Sequence, residues 1–170
     1  MKLKRLTFLS LYCAIALAIY GIESAIPPLV PVAGVKLGLA NVITLWLLMY
    51  ATKQDACFVL LVRILLSGIF LGQPVSFFFS LSGGLFCFLI MALLFSIFDG
   101  KAVVYISILG AIAHNLGQIL AAVLLLQNFS ILAYFPVLIL SAILSGAFTG
   151  LCAHYASKKF PASLAWPVNR

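Results

Sequence analysis

The chain has 170 residues, 65% of them hydrophobic and 8% charged, with ten Lys and Arg against three acids and a formal charge of +7. Soluble domains are about 45–50% apolar and roughly 25% charged, so the composition excludes a water-soluble globular domain and implies an integral membrane protein. The basic excess does not indicate nucleic acid, because most Lys and Arg lie in short breaks between apolar runs, where positive residues set membrane topology.

The N-terminal stretch MKLKRLTFLSLYCAIALAIYG begins like a signal peptide, but its apolar run exceeds the usual h-region of about 7–15 residues and further apolar runs follow. It reads as a first membrane helix that is retained. A membrane helix needs about 20 apolar residues at 1.5 Å of rise each. Breaks at Pro27-Pro28 and Pro31, at Thr52 to Asp55, at Gly72 to Pro74, at Asp99 to Lys101 and at Gln127 to Ser130 divide the chain into six segments. These cover about 6–26, 35–52, 56–72, 75–98, 102–126 and 131–157, the second and third being short for a full span. With the N-terminus inside, the inner side receives Lys2, Lys4, Arg5, Lys53, Lys101, Lys158, Lys159 and Arg170, and the outer side Lys36 alone. This bias predicts a multi-pass protein of the cell membrane with both termini cytoplasmic. The expected fold is an all-α bundle of about six transmembrane helices in one domain, residues 1–160, followed by a short cytoplasmic tail, 161–170, with Trp166 at headgroup level.

The acids are Glu23, Asp55 and Asp99, far apart in sequence. Chemistry on a prenyl diphosphate needs clustered carboxylates that hold Mg²⁺ against the phosphates, and no such cluster is present. There is no GxxxxGK[ST] phosphate loop, and His154 has no acid in view for Ser-His-Asp chemistry. An autonomous enzyme or ATP-driven pump is therefore not expected, and no cofactor is called for. Cys13, Cys57, Cys87 and Cys152 stand singly in apolar segments and read as small buried thiols.

Polar residues converge on the middle and outer half of the six-helix arrangement. Lys36 falls at the outer mouth of the second helix with Asn41 below it, Arg63 lies near the middle of the third, and His114, Asn115 and Gln118 lie in the central to outer part of the fifth. Glu23 is near the outer end of the first helix and Gln73 in an outer loop. Ionisable groups at such depth face the bundle interior and mark functional sites. One reading pairs Glu23 with Lys36 or Arg63 and has His114 and Asn115 tie helices together. The other is an outward-opening pocket lined by Lys36, Asn41, Arg63, His114, Asn115 and Gln118. It would take an anionic or isoprenoid small molecule, with Arg63 as a planar fork for carboxylate or phosphate. His114 and Gln118 share a helix face, and Asn115 lies roughly a hundred degrees round. A single His without a second ligand nearby makes a poor metal site, so no metal is expected. On the first helix Ala14 and Ala18 form a small-xxx-small pair that serves either internal packing or docking of a partner membrane protein.

GVKLGLANV (34–42), VRILLSG (62–68), SLSGG (80–84) with Met91, and GAIAHNLGQ (110–118) resemble the motifs of the bacterial heptaprenyl diphosphate synthase component I family, also labelled the Gx transporter family. The resemblance runs from the first helix to about residue 157, although many members carry a proline where this chain has Ala33. The family is in turn similar to the substrate-binding S components of energy-coupling factor transporters. Those have six helices and an AxxxA pattern on the first helix that contacts a shared coupling module, and Ala14 and Ala18 match it. The resemblance implies a substrate-binding subunit of a small-molecule uptake system, energised by a coupling membrane subunit with ATPases. The family label implies instead a non-catalytic accessory to a prenyl synthase catalytic subunit in isoprenoid and menaquinone side-chain synthesis. Membrane lipid is a partner in either case, and nucleic acid in neither.

Overall fold

A computed structural model describes residues 2–27, 36–71, 74–98 and 102–159. They form six α-helices: α1 (Lys2–Ser24), α2 (Asn41–Tyr50), α3 (Lys53–Leu71), α4 (Pro74–Phe98), α5 (Val103–Leu126) and α6 (Phe135–Lys159), with a 3-10 turn, Phe129–Tyr134, ahead of α6. No strand occurs among the described residues. The expected Gln73 loop, the Asp99–Lys101 break, Ala33 and the tail from 161 lie outside them.

Four of the helices, α1, α4, α5 and α6 with its preceding turn, are long and apolar enough to cross a membrane. α3 has 19 residues and carries Lys53, Asp55 and Arg63. α2 has only ten residues, about 15 Å at helical rise and roughly half a bilayer core. Large apolar side chains cover the perimeter: Leu124 is 78% exposed, Phe70 75% and Ile69 73%. Water cannot cover such a surface at low cost, whereas lipid can.

α5 is the central element and packs along both α4 and α6. Backbones approach closely where side chains are absent. A Cβ on Gly117 would lie 2.8 Å from the Ser82 carbonyl oxygen, and one on Gly146 would lie 2.7 Å from the Ile108 Cα. A Ser107 Oγ–Thr149 Oγ1 hydrogen bond of 2.9 Å ties α5 to α6. On the other side, Leu9, Cys13 and Ala16 of α1 meet Ile43 and Leu47 of α2 and Ala56 and Val59 of α3 in a separate apolar core. One end of this α1–α3 contact is clamped by Arg5, whose Nη2 is 2.6 Å from Asp55 Oδ1. Thr52 caps α3 by accepting the Asp55 N–H at 3.1 Å, and its hydroxyl donates to Asp55 Oδ2 at 2.8 Å.

Two boundaries differ from the sequence reading. α2 begins at Asn41, not near 35, because Gly38 adopts φ +79°, a left-handed conformation that interrupts a helix. Lys36 therefore belongs to the approach to α2 and not to a helical mouth. The last segment starts as a 3-10 turn: Gln127 ends α5 at φ 49°, and the Asn128 side chain accepts the Ser130 N–H at 2.9 Å. Pro136 then sits in the first turn of α6, where its missing N–H has no helical partner to lose. All four cysteines are free, Cys13 and Cys87 buried as expected; Cys57 is half-buried and Cys152 exposed. An apolar surround accommodates a thiol on the outer face as readily as in the core.

Candidate binding site

The polar cluster forms where the approach to α2 meets α1, α5 and α6. His114 and Gln118, one turn apart on α5, both face Gly83 of α4, where a Cβ would come within 2.9 Å of the imidazole and 2.8 Å of Gln118 Cγ. The opposite edge of the imidazole meets Gly38, where a Cβ would lie 2.8 Å from His114 Cδ2. The ring is thus held between two glycines. Asn41 Nδ2 lies 3.1 Å from His114 Nδ1.

The non-helical backbone of residues 36–40 needs partners, since an unsatisfied amide in an apolar interior costs several kcal/mol. Side chains from three helices supply them. Gln118 Oε1 accepts the Lys36 N–H at 3.3 Å, Glu23 Oε1 accepts the Gly38 N–H, and Ser145 Oγ donates to the Leu37 carbonyl at 3.4 Å. Glu23 therefore does not form the ion pair with Lys36 or Arg63 considered from the sequence: its carboxylate serves a backbone N–H, that of Gly38, which only the fold brings to it.

Both cations stand against one aromatic ring. Lys36 Nζ is 3.8 Å from the Tyr20 ring centroid and donates to Ser24 Oγ at 2.6 Å. The Arg63 guanidinium carbon is 5.7 Å from the same centroid, within cation–π range. The Tyr20 hydroxyl is shared with Ser76 Oγ at 3.1 Å and Ser80 Oγ at 3.3 Å, both on α4. Arg63 is 4% exposed, its Nη2 has no hydrogen-bond partner, and among the described residues no carboxylate lies within 4 Å of it. The Asn41 Oδ1 is likewise buried without a partner.

Of the six residues expected to share a pocket, Lys36, Asn41, His114 and Gln118 are joined through the approach to α2, and Arg63 joins Lys36 through Tyr20. Asn115 does not join them. It turns to α6 and donates to the Leu138 carbonyl at 2.8 Å. Tyr20, Ser76, Ser80 and Gly38 were not singled out from the sequence. Tyr20 lies three residues before Glu23 and four before Ser24, a spacing that puts it on their helix face. Among the described residues no group of three or more His, Cys, Asp or Glu could hold a metal. On α1, Ala16 is buried, whereas Ala14 and Ala18 face outward. An apolar groove between α1 and α3 runs past Ala14, bounded by Leu6, Leu9, Leu17, Phe58 and Val62.

The profile of the family described as heptaprenyl diphosphate synthase component I matches residues 12–156, from near the middle of α1 nearly to the end of α6. The chain belongs to that family. No curated protein and no solved structure matches it. The family description refers to one component of a synthase, and the sequence's three separated acids leave component I without the carboxylate pairs that bind Mg²⁺ and diphosphate.

Proposed function

We propose that the chain is the substrate-binding subunit of a small-molecule uptake system of the cell membrane, spanning it as one domain with both termini cytoplasmic. A separate coupling membrane subunit with ATPases supplies the energy. The observation that carries this reading is Arg63, a buried guanidinium with an unpartnered Nη2 and, among the described residues, no carboxylate within 4 Å. A charge so placed is expensive for a purely structural bundle and serves ligand binding. Lys36 on the same Tyr20 ring, and the hydrogen-bonding groups of Asn41, His114 and Gln118, suit a small anion with an apolar part. The outward Ala14–Ala18 face suits close approach of a partner helix, and the absence of a phosphate loop in the sequence suits a partner that binds ATP.

A second reading is favoured by the family description: a non-catalytic membrane accessory of a prenyl synthase, with the catalytic subunit supplying the Mg²⁺ site. Two measurements separate them. Purified protein with isopentenyl and farnesyl diphosphates and Mg²⁺ is expected to form no product alone. Stimulation of an added prenyl synthase catalytic subunit would favour the second reading, and turnover by this chain alone would overturn both. For the site, a thermal-shift screen of small anions and isoprenoids is expected to find a stabilising ligand, by about 2.7 kcal/mol at a hundred times its Kd. The shift should vanish in Arg63→Ala. Equal shifts in wild type and Arg63→Ala would remove Arg63 from the site.

A further inference from the structure

Glu23 could have neutralised either cation beside it and does neither. Lys36 Nζ is committed to Ser24 Oγ and the Tyr20 ring, and Arg63 has no carboxylate within 4 Å among the described residues. The Glu23 carboxylate instead accepts the backbone N–H of Gly38, just ahead of the first turn of α2. The turn that aims this N–H depends on Gly38 at φ +79°, where a side chain would strike His114 and Asn41. Peptide dipoles at such a place form a cradle for an anion, and Glu23 already fills it. Its charge still acts on both Arg63 and Lys36, so two cations and one carboxylate leave one positive charge uncompensated.

We propose that Glu23 is a specificity-determining residue: by occupying the N–H cradle ahead of α2 it leaves the Lys36–Arg63 site able to take an anion of single charge, such as a carboxylate, and to reject doubly or more highly charged phosphates. This rests on the reading of Lys36 and Arg63 as ligand-binding groups. A second negative charge on the ligand would find no matching cation and would face the Glu23 carboxylate in a medium that screens charge poorly.

The test compares octanoate with octyl phosphate, which have the same tail and differ in head charge, the phosphate being mostly dianionic near neutral pH. Equilibrium binding is measured on the full chain in nanodiscs. Wild type is expected to prefer octanoate by roughly tenfold or more, the scale of one poorly screened like-charge contact. Glu23→Gln keeps an oxygen acceptor for the Gly38 N–H and removes the charge, so it should cut or invert that preference by tightening octyl phosphate. Glu23→Asp should retain the wild-type order. Equal affinity of wild type for the two probes would overturn the proposal without any variant, as would an unchanged ratio in folded Glu23→Gln. If wild type binds neither probe, or binds both as tightly when Arg63 is replaced by Gln, the ligand-binding reading of the site fails and the proposal falls with it.

Discussion

Tyr20 shows how a single ring can organise charge in an apolar bundle. Its face meets both cations and its hydroxyl bridges Ser76 and Ser80 of α4. Tyr20→Phe should keep the cation contacts and lose only the hydroxyl bonds, costing about 0.5–1.5 kcal/mol of stability. Tyr20→Leu should cost about 1–2 kcal/mol more as the cation–π contacts go. Denaturant unfolding in detergent checks the order, and equal losses in the two variants would remove the ring from the account. Glycines give a second contrast. Gly117→Ala must push apart two backbones and should cost about 1–3 kcal/mol. Gly21→Ala, with nothing within 4 Å of the added carbon, should be neutral or gain up to about 1 kcal/mol of helix propensity. At this scale the sequence is partly legible. The four-residue spacing of His114 and Gln118 placed both on one face, and the angular offset of Asn115 accounts for its turning to α6. Tyr20 gave no polarity contrast within its apolar run, and the backbone partner of Glu23 depends on a turn whose geometry rests on one glycine.

At the scale of elements, α1 presents two different faces. Ala16 is 1% exposed against α2 and α3, so Ala16→Leu should overpack the core and cost about 1–3 kcal/mol. Ala14 and Ala18 face outward, so Ala14→Leu and Ala18→Leu should stay within about 0.5 kcal/mol of wild type while disrupting any partner that docks there. Unfolding of all three variants alike would place the whole small-residue stripe in the interior. The start of α3 separates a cap from a surface ion pair. Thr52→Ala should cost about 0.5–2 kcal/mol through the lost cap, and Arg5→Gln less than about 1 kcal/mol, because Arg5 is 47% exposed. Six helices were legible because polar and proline breaks punctuate apolar runs. The length of α2 was not, since apart from Lys36 nothing polar marks residues 36–40, and their non-helical path turns on the left-handed backbone of Gly38.

For the whole molecule, the distribution of positive charge carries the expected orientation. Reporter fusions after residues 30, 53, 73, 101, 129 and 165 should alternate in side, with Lys53 and Lys101 in the cytoplasm. An external signal at either lysine would sink the topology. The polar site, the outward alanine face and the basic end are then three separate regions of one bundle, and variants in one should leave the others functional.

The brevity of α2 has a consequence for biogenesis. Ten residues are too few to partition stably into a bilayer on their own. Two of the three groups that satisfy its approach arrive late in synthesis: Gln118 follows Lys36 by 82 residues, and Ser145 follows Leu37 by 108. The nascent chain therefore holds α1 and α3 when Glu23 is the one partner in place for the approach to α2, and residues 36–40 should stay wet until α5 and α6 have entered. In a background without native cysteines, Leu37→Cys should react with a membrane-impermeant thiol reagent in chains truncated after α4 and become protected in the full-length protein.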